Sequence, residues 1–167
     1  NQIMTQQRLT GESLETLETN PDRPVCICFT SGSTGKPKGA WFTNKQLQAI
    51  SDLDTGGSWG GGGNRYASTE FAHVGVMTKL PWLLSSGGTT HLVEKWNAKE
   101  ILELIHNYKM TSVSAIAPQI ALMLKQENIA SFDFTSVKAI VTGGAFASPD
   151  LIQAGRKIFG APWSVRY

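Results

Sequence analysis

The chain has 167 residues, of which 41% are hydrophobic and 17% charged, with a formal net charge of +2. That length supports one core, burying roughly 70% of the unfolded chain's surface, and the ordinary composition excludes a disordered tail. The charge balance argues against nucleic acid, which requires a strong basic footprint, and no apolar run reaches the roughly 18 residues needed to span a bilayer.

Residues 1–24 are polar, lack the apolar centre of a signal peptide, and read as a lead-in with a short helix around Ser13 to Glu18. An α/β core is expected over 25–167. The chain starts at Asn1 and stops on a strand-like run, Trp163 to Tyr167, so both ends read as cut. Val25-Cys26-Ile27-Cys28-Phe29 is a short apolar run with the character of a buried strand. Cys26 and Cys28 face the same side of it. A zinc site wants wider spacing and more ligands, and a bridge across one residue is strained. Reduced thiols are expected, which suits a reducing cytoplasmic setting.

Directly after this strand comes Thr30-Ser31-Gly32-Ser33-Thr34-Gly35-Lys36-Pro37-Lys38-Gly39. Its glycines allow tight turns and close approach of main-chain N–H groups to a ligand. Thr30, Ser31, Ser33 and Thr34 can donate hydrogen bonds to oxyanions, Lys36 and Lys38 supply positive charge, and Pro37 fixes the local φ. A strand leading into such a loop is an anion cradle. It is not a Walker P-loop, which needs Gly, four residues, then Gly-Lys-Ser/Thr. Thr30 holds the first glycine position and Pro37 follows Lys36, so the metal-binding hydroxyl is missing.

Downstream, Ala40 to Phe42 reads as a second strand, and Thr43-Asn44 as the N-cap of a helix through Leu53. The glycine-rich stretch 54–64 reads as a connector. A strand over Arg65 to Thr69 precedes Phe71-Ala72-His73-Val74-Gly75, then a helix over Val76 to Leu84 broken near Pro81. Further strands are expected at 89–93, 112–116, 137–141 and 163–167. Helices are expected from Asn97, which forms a capping box with Glu100, from Pro118, and from Ser148-Pro149-Asp150. Strands alternating with helices imply a mostly parallel sheet with helices on both faces. Ligands then sit at the carboxyl ends of strands, where the loop, Phe71 to Gly75, and Thr142-Gly143-Gly144-Ala145 all fall. His91 and His106 have no motif around them and read as structural.

Residues 29–39 match throughout the signature loop of adenylate-forming (AMP-binding) enzymes, the acyl-CoA synthetases, luciferases and peptide-synthetase adenylation domains. The chain resembles a fragment of the large N-terminal part of an acyl-CoA synthetase-like protein, with the α/β fold of that part. The resemblance implies ATP-dependent activation of a carboxylic acid to an acyl-adenylate and transfer to CoA, an acid–thiol ligase activity of fatty-acid-metabolism type, with ATP, Mg²⁺ and CoA as cofactors. It implies that Thr30, Ser31, Gly32, Ser33, Thr34, Gly35, Lys36 and Lys38 hold the ATP phosphates, with Lys36 also counted as catalytic. His73 then lines or gates the acyl pocket, Gly143, Gly144 and Ala145 lie along adenine, and Tyr167 stacks on the base. The family's magnesium glutamate lies beyond Tyr167, so the chain supplies no metal ligand, and the fragment alone is expected to be inactive. Asn44 stands where the family usually has histidine. A peptide-synthetase adenylation domain and a non-catalytic nucleotide-binding module remain open. The acid is not readable from the sequence, and the cut sheet is expected to favour self-association.

Overall fold

The computed structural model describes residues 17–32, 35–56, 62–70 and 72–166. Strands β1 (Pro24–Phe29) and β2 (Gly39–Thr43) pair antiparallel, with Ile27 opposite Trp41 and Phe29 opposite Gly39. The two-residue period turns Cys26 and Cys28 inward, where they pack on Leu47, Phe42 and Met77. Val25, Ile27 and Phe29 face the other way and are exposed. An apolar run reads as buried on both sides; here only one side carries a packed layer among the described residues.

Helix α1 (Asn44–Thr55) follows β2 without a break. Thr43 caps it: Thr43 Oγ1 accepts from the Gln46 N–H at 3.4 Å, and Gln46 Oε1 accepts from the Thr43 N–H at 2.9 Å. This reciprocal pair satisfies two donors that the first helical turn leaves unpaired. The helix ends at Gly56, whose φ of 63° is the left-handed C-cap that glycine adopts without steric cost. Leu47, fully buried, fastens α1 to the hairpin.

Strands β3 (Asn64–Tyr66) and β4 (Thr89–His91) pair in parallel. Between them run α2 (Val74–Met77) and α3 (Leu80–Ser85), the break falling just before Pro81. Helix α4 (Ala98–Asn107) is capped by Asn97 Oδ1, which accepts from the N–H groups of Lys99 and Glu100. Strands β5 (Ser112–Ala115), β6 (Ala139–Gly143) and β7 (Trp163–Arg166) form a parallel sheet in that order. They are linked by α5 (Ala117–Leu124) with a 3₁₀ turn (Ile129–Ser131), and by α6 (Pro149–Phe159), which Ser148 caps through its hydroxyl.

The chain is thus a mixed α/β fold in which β1–β2 is the antiparallel pairing among the described residues and the other pairings are parallel. One continuous sheet is the simplest expectation from strands alternating with helices; the described strands instead fall into three ladders. Strands β3 and β4 each stop after three residues, with Leu92 turning out to solvent. The main core joins Ile101, Leu102 and Ile105 of α4 to Val113, Ile120, Met123, Ile140 and Phe159. Burying each such side chain stabilises the fold by about 1.5–3 kcal/mol.

Candidate functional site

The hairpin loop between β1 and β2 is closed at its base by one residue pair. The Thr30 N–H donates to the Lys38 carbonyl at 3.0 Å, and the Lys38 N–H donates to Thr30 Oγ1 at 3.1 Å. Inside, the Gly35 N–H donates to the Gly32 carbonyl at 2.9 Å. Gly32 has φ 71°, and a Cβ there would lie 2.8 Å from the Gly35 carbonyl oxygen, so the turn admits only glycine. Gly35 has φ 140° with open space beside it. Ser31, Lys36 and Lys38 are exposed, and neither lysine has a carboxylate partner among the described residues. Ser33 and Thr34 lie outside the described residues. The loop therefore presents hydroxyls and ammonium groups without a competing acid, the donor set that suits a phosphate chain.

His73 is the N-cap of α2: its Nδ1 accepts from the Gly75 N–H at 3.0 Å. In the neutral ring that bond places the proton on Nε2. Helix α2 packs through Met77 on Cys26, Cys28 and Leu47, so His73 rides on the strand that feeds the loop. Gly143 ends β6 beside Arg166 of β7, where a Cβ would meet the Arg166 carbonyl oxygen at 3.2 Å. Gly144 follows with φ 71°, and Ala145 is half-buried. Phe71 and Tyr167 lie outside the described residues. His91 and His106 hold structure: His91 Nε2 bonds Asn64 Oδ1 at 3.1 Å, and His106 Nδ1 accepts from the Asp133 N–H at 2.9 Å.

Asp54, near the end of α1, ties these parts together. Its carboxylate receives the Lys79 ammonium at 3.3 Å and the Arg166 guanidinium. Nothing in the sequence pattern flags this cluster, because the three residues are far apart in the chain and carry no motif. Between α1, α2, α3 and the strands β3 and β5 lies a cavity of about 310 Å³, lined among others by Gly75, Lys79, Trp82, Arg65 and Arg166. Among the described residues no group of three or more His, Cys, Asp or Glu side chains is placed to hold a metal ion. None of their helices is long and apolar enough to cross a membrane.

A donor-rich loop after one strand and a glycine pair at the end of another suit a nucleotide-handling α/β protein, and the comparisons narrow that class. The chain belongs to the AMP-binding enzyme family, which it matches over residues 3–167. It is 28% identical over 152 residues to a 4-coumarate–CoA ligase of Pinus taeda, covering 86% of this chain and 28% of that protein. It is 29% identical over 140 residues to an indoleacetate–CoA ligase of Aromatoleum aromaticum, covering 81% of this chain and 27% of that protein. Among solved structures, the amide bond synthetase McbA from Marinactinospora thermotolerans superposes with a TM-score of 0.79 at 26% identity, covering 94% of this chain and 31% of that one. The chain thus spans between a quarter and a third of the length of these relatives.

Proposed function

We propose that this chain carries the phosphate-binding and acid-binding part of an enzyme that activates a carboxylic acid with ATP and passes the acyl group to the thiol of CoA. The observation that carries the reading is the loop closed by Thr30 and Lys38, whose polar side chains are hydroxyls and ammonium groups with no carboxylate among them. In the reaction, a carboxylate oxygen attacks the α-phosphorus of ATP, the bond to the β-phosphate oxygen breaks, and pyrophosphate leaves with the electron pair. Negative charge builds on the leaving group. The hydroxyls of Thr30, Ser31, Ser33 and Thr34, the loop amide at Gly32, and the ammonium groups of Lys36 and Lys38 meet it there. Bound magnesium supplies further neutralisation of phosphate charge, but the described residues offer no carboxylate cluster for it. His73, with Nε2 as its donor, lies beside the acid. The backbone at Gly143, Gly144 and Ala145 admits a flat base at close range, with Tyr167 as its stacking platform.

A second reading, with a carrier-protein thiol as acceptor, draws support from one relative. The fatty acid–[acyl-carrier-protein] ligase ScoC of Streptomyces coeruleorubidus is 24% identical over 155 residues. Both readings share the first half-reaction, and both leave the isolated 167 residues without turnover. The outward apolar side chains of the hairpin, Ile27, Phe29 and Trp41, favour self-association of the isolated chain, measurable by sedimentation.

The test is ATP binding, followed by fluorescence of a labelled nucleotide. Replacing Lys36 and Lys38 by alanine removes two charge-assisted contacts of about 1.5–3 kcal/mol each, so affinity falls at least tenfold per lysine. Unchanged affinity in the double variant overturns the phosphate-loop reading. Acyl-adenylate formation by the isolated chain, seen as ATP–pyrophosphate exchange, overturns its expected inactivity.

A further inference from the structure

The cavity beneath α2 and α3 has an electrostatic imbalance of its own. Arg65 lines it from β3. Its guanidinium lies 4.3 Å over the Trp82 ring, and Nη2 donates to Ser86 Oγ at 3.0 Å. Among the described residues, Nη1 is buried without an acceptor and no carboxylate pairs with the group. Burial pulls the Arg65 pKa below its ordinary value, and no neighbouring anion offsets that. The indole N–H of Trp82, also lining the cavity, is likewise buried without an acceptor. Lys79 and Arg166 line the same space and share the single carboxylate of Asp54. Three cations therefore face one anion, and two buried donors lack partners. A buried donor left without an acceptor is costly unless something supplies one.

The occupant is not the nucleotide. The cavity lining includes no residue of the 30–38 loop, and about 310 Å³ sits at the lower limit of small-molecule pockets. We infer that the cavity takes a short acid bearing two carboxylates, one held by the Arg65 guanidinium and the other by the Lys79 and Arg166 cations that share Asp54. The site is distinct from the 30–38 loop, and it makes Arg65 a residue that selects for the second negative charge. Nη1 and the Trp82 N–H then gain the acceptor they lack. A plain aliphatic acid of the same length meets only one of the two cationic ends, which disfavours it.

The experiment measures acid binding to the 167-residue chain without ATP, so its outcome is independent of the Lys36 and Lys38 test. Melting temperature is followed against succinate, butyrate and inorganic phosphate. Succinate is expected to raise it saturably, with butyrate and phosphate at least tenfold weaker. Arg65→Met is expected to abolish the preference for succinate while leaving the melting temperature of the free protein unchanged or higher, and Arg65→Lys to keep part of the preference. Equal response to succinate and butyrate, equal response to phosphate, or undiminished succinate binding by Arg65→Met overturns the inference. So does a free Arg65→Met protein that melts well below the parent, because the guanidinium is then a structural strut.

Discussion

Asp54 and Arg166 stand 112 residues apart in the chain and meet in one ion pair. The contact joins the helix that follows the β1–β2 hairpin to the strand end beside the glycines of β6, and Lys79 adds the segment after His73. All three side chains are partly exposed, so solvent screens the pair and its net worth is modest. Asp54→Asn is expected to lower stability by about 1 kcal/mol, read as a shift in the urea midpoint at low salt. In about 1 M salt, where the Debye length shrinks to about 3 Å, most of that difference should vanish. A difference insensitive to salt assigns the role of Asp54 to packing rather than charge.

Gly32 carries the strongest backbone requirement in the loop. A side chain there faces both the positive φ and the Gly35 carbonyl oxygen 2.8 Å away. Gly32→Ala is expected to cost about 1–2 kcal/mol from the left-handed conformation alone, with the clash forcing the loop open. Nucleotide affinity should fall in parallel with that of the Lys36 and Lys38 variants, while the Thr43 cap and α1 keep their helical circular dichroism. Native affinity in Gly32→Ala means that the turn, as folded, is not what holds the nucleotide.

The parts of this chain that local chemistry decides were legible before any coordinates. Thr43, Asn97 and Ser148 each cap the helix they precede, because an N-cap is settled by residues within one turn of each other. Pro81 and Pro118 both fall in first helical turns for the same reason. The motif at 29–39 identified the family for the same local reason. Tertiary geometry was not legible. The antiparallel pairing of β1 with β2 depends on how the loop folds back, and the inward face of β1 depends on where Leu47 and Met77 arrive. Asp54 sits in α1 rather than in the connector suggested by the glycines after it, since Gly56 stops the helix only at its C-cap. Arg65 looked like one residue of a strand, and its missing counter-ion is a property of the surrounding space.

Asp133 gives a pH signature outside the site. Its carboxylate accepts from the Lys109 ammonium at 2.8 Å and from the Thr135 hydroxyl and N–H. The Lys109 bond, then those from Thr135, hold its pKa well below the usual carboxylate range. A carboxyl whose folded pKa is depressed contributes stability that is present above the unfolded pKa of about 3.9 and is lost as pH falls below it. Asp133→Asn should therefore show a shallower loss of stability on acidification below about pH 4 than the parent, with the two curves running parallel near neutrality. Identical acid limbs in urea titrations would show that the Lys109 pair gains nothing on folding.

Gly155 and Trp163 fix how α6 sits on β7. A Cβ at Gly155 would lie 2.4 Å from Trp163 Cζ3, so the indole lies directly on the helix backbone. The ring cannot slide away freely, because Trp163 Nε1 donates to the buried Thr142 Oγ1 at 2.8 Å. Gly155→Ala gains about 0.8–1 kcal/mol in helix propensity but meets an overpacking penalty of about 1–3 kcal/mol, so net destabilisation is expected. In a Trp163→Val background the obstruction is gone, and the same Gly155→Ala change should become stabilising. That reversal of sign is a coupling measurable in a double-mutant cycle of urea midpoints. Additive effects would show that the indole yields to the new methyl group. Reversal would show that it is held in place between Thr142 and the helix, and with it the position of β7, whose last residue, Arg166, reaches Asp54.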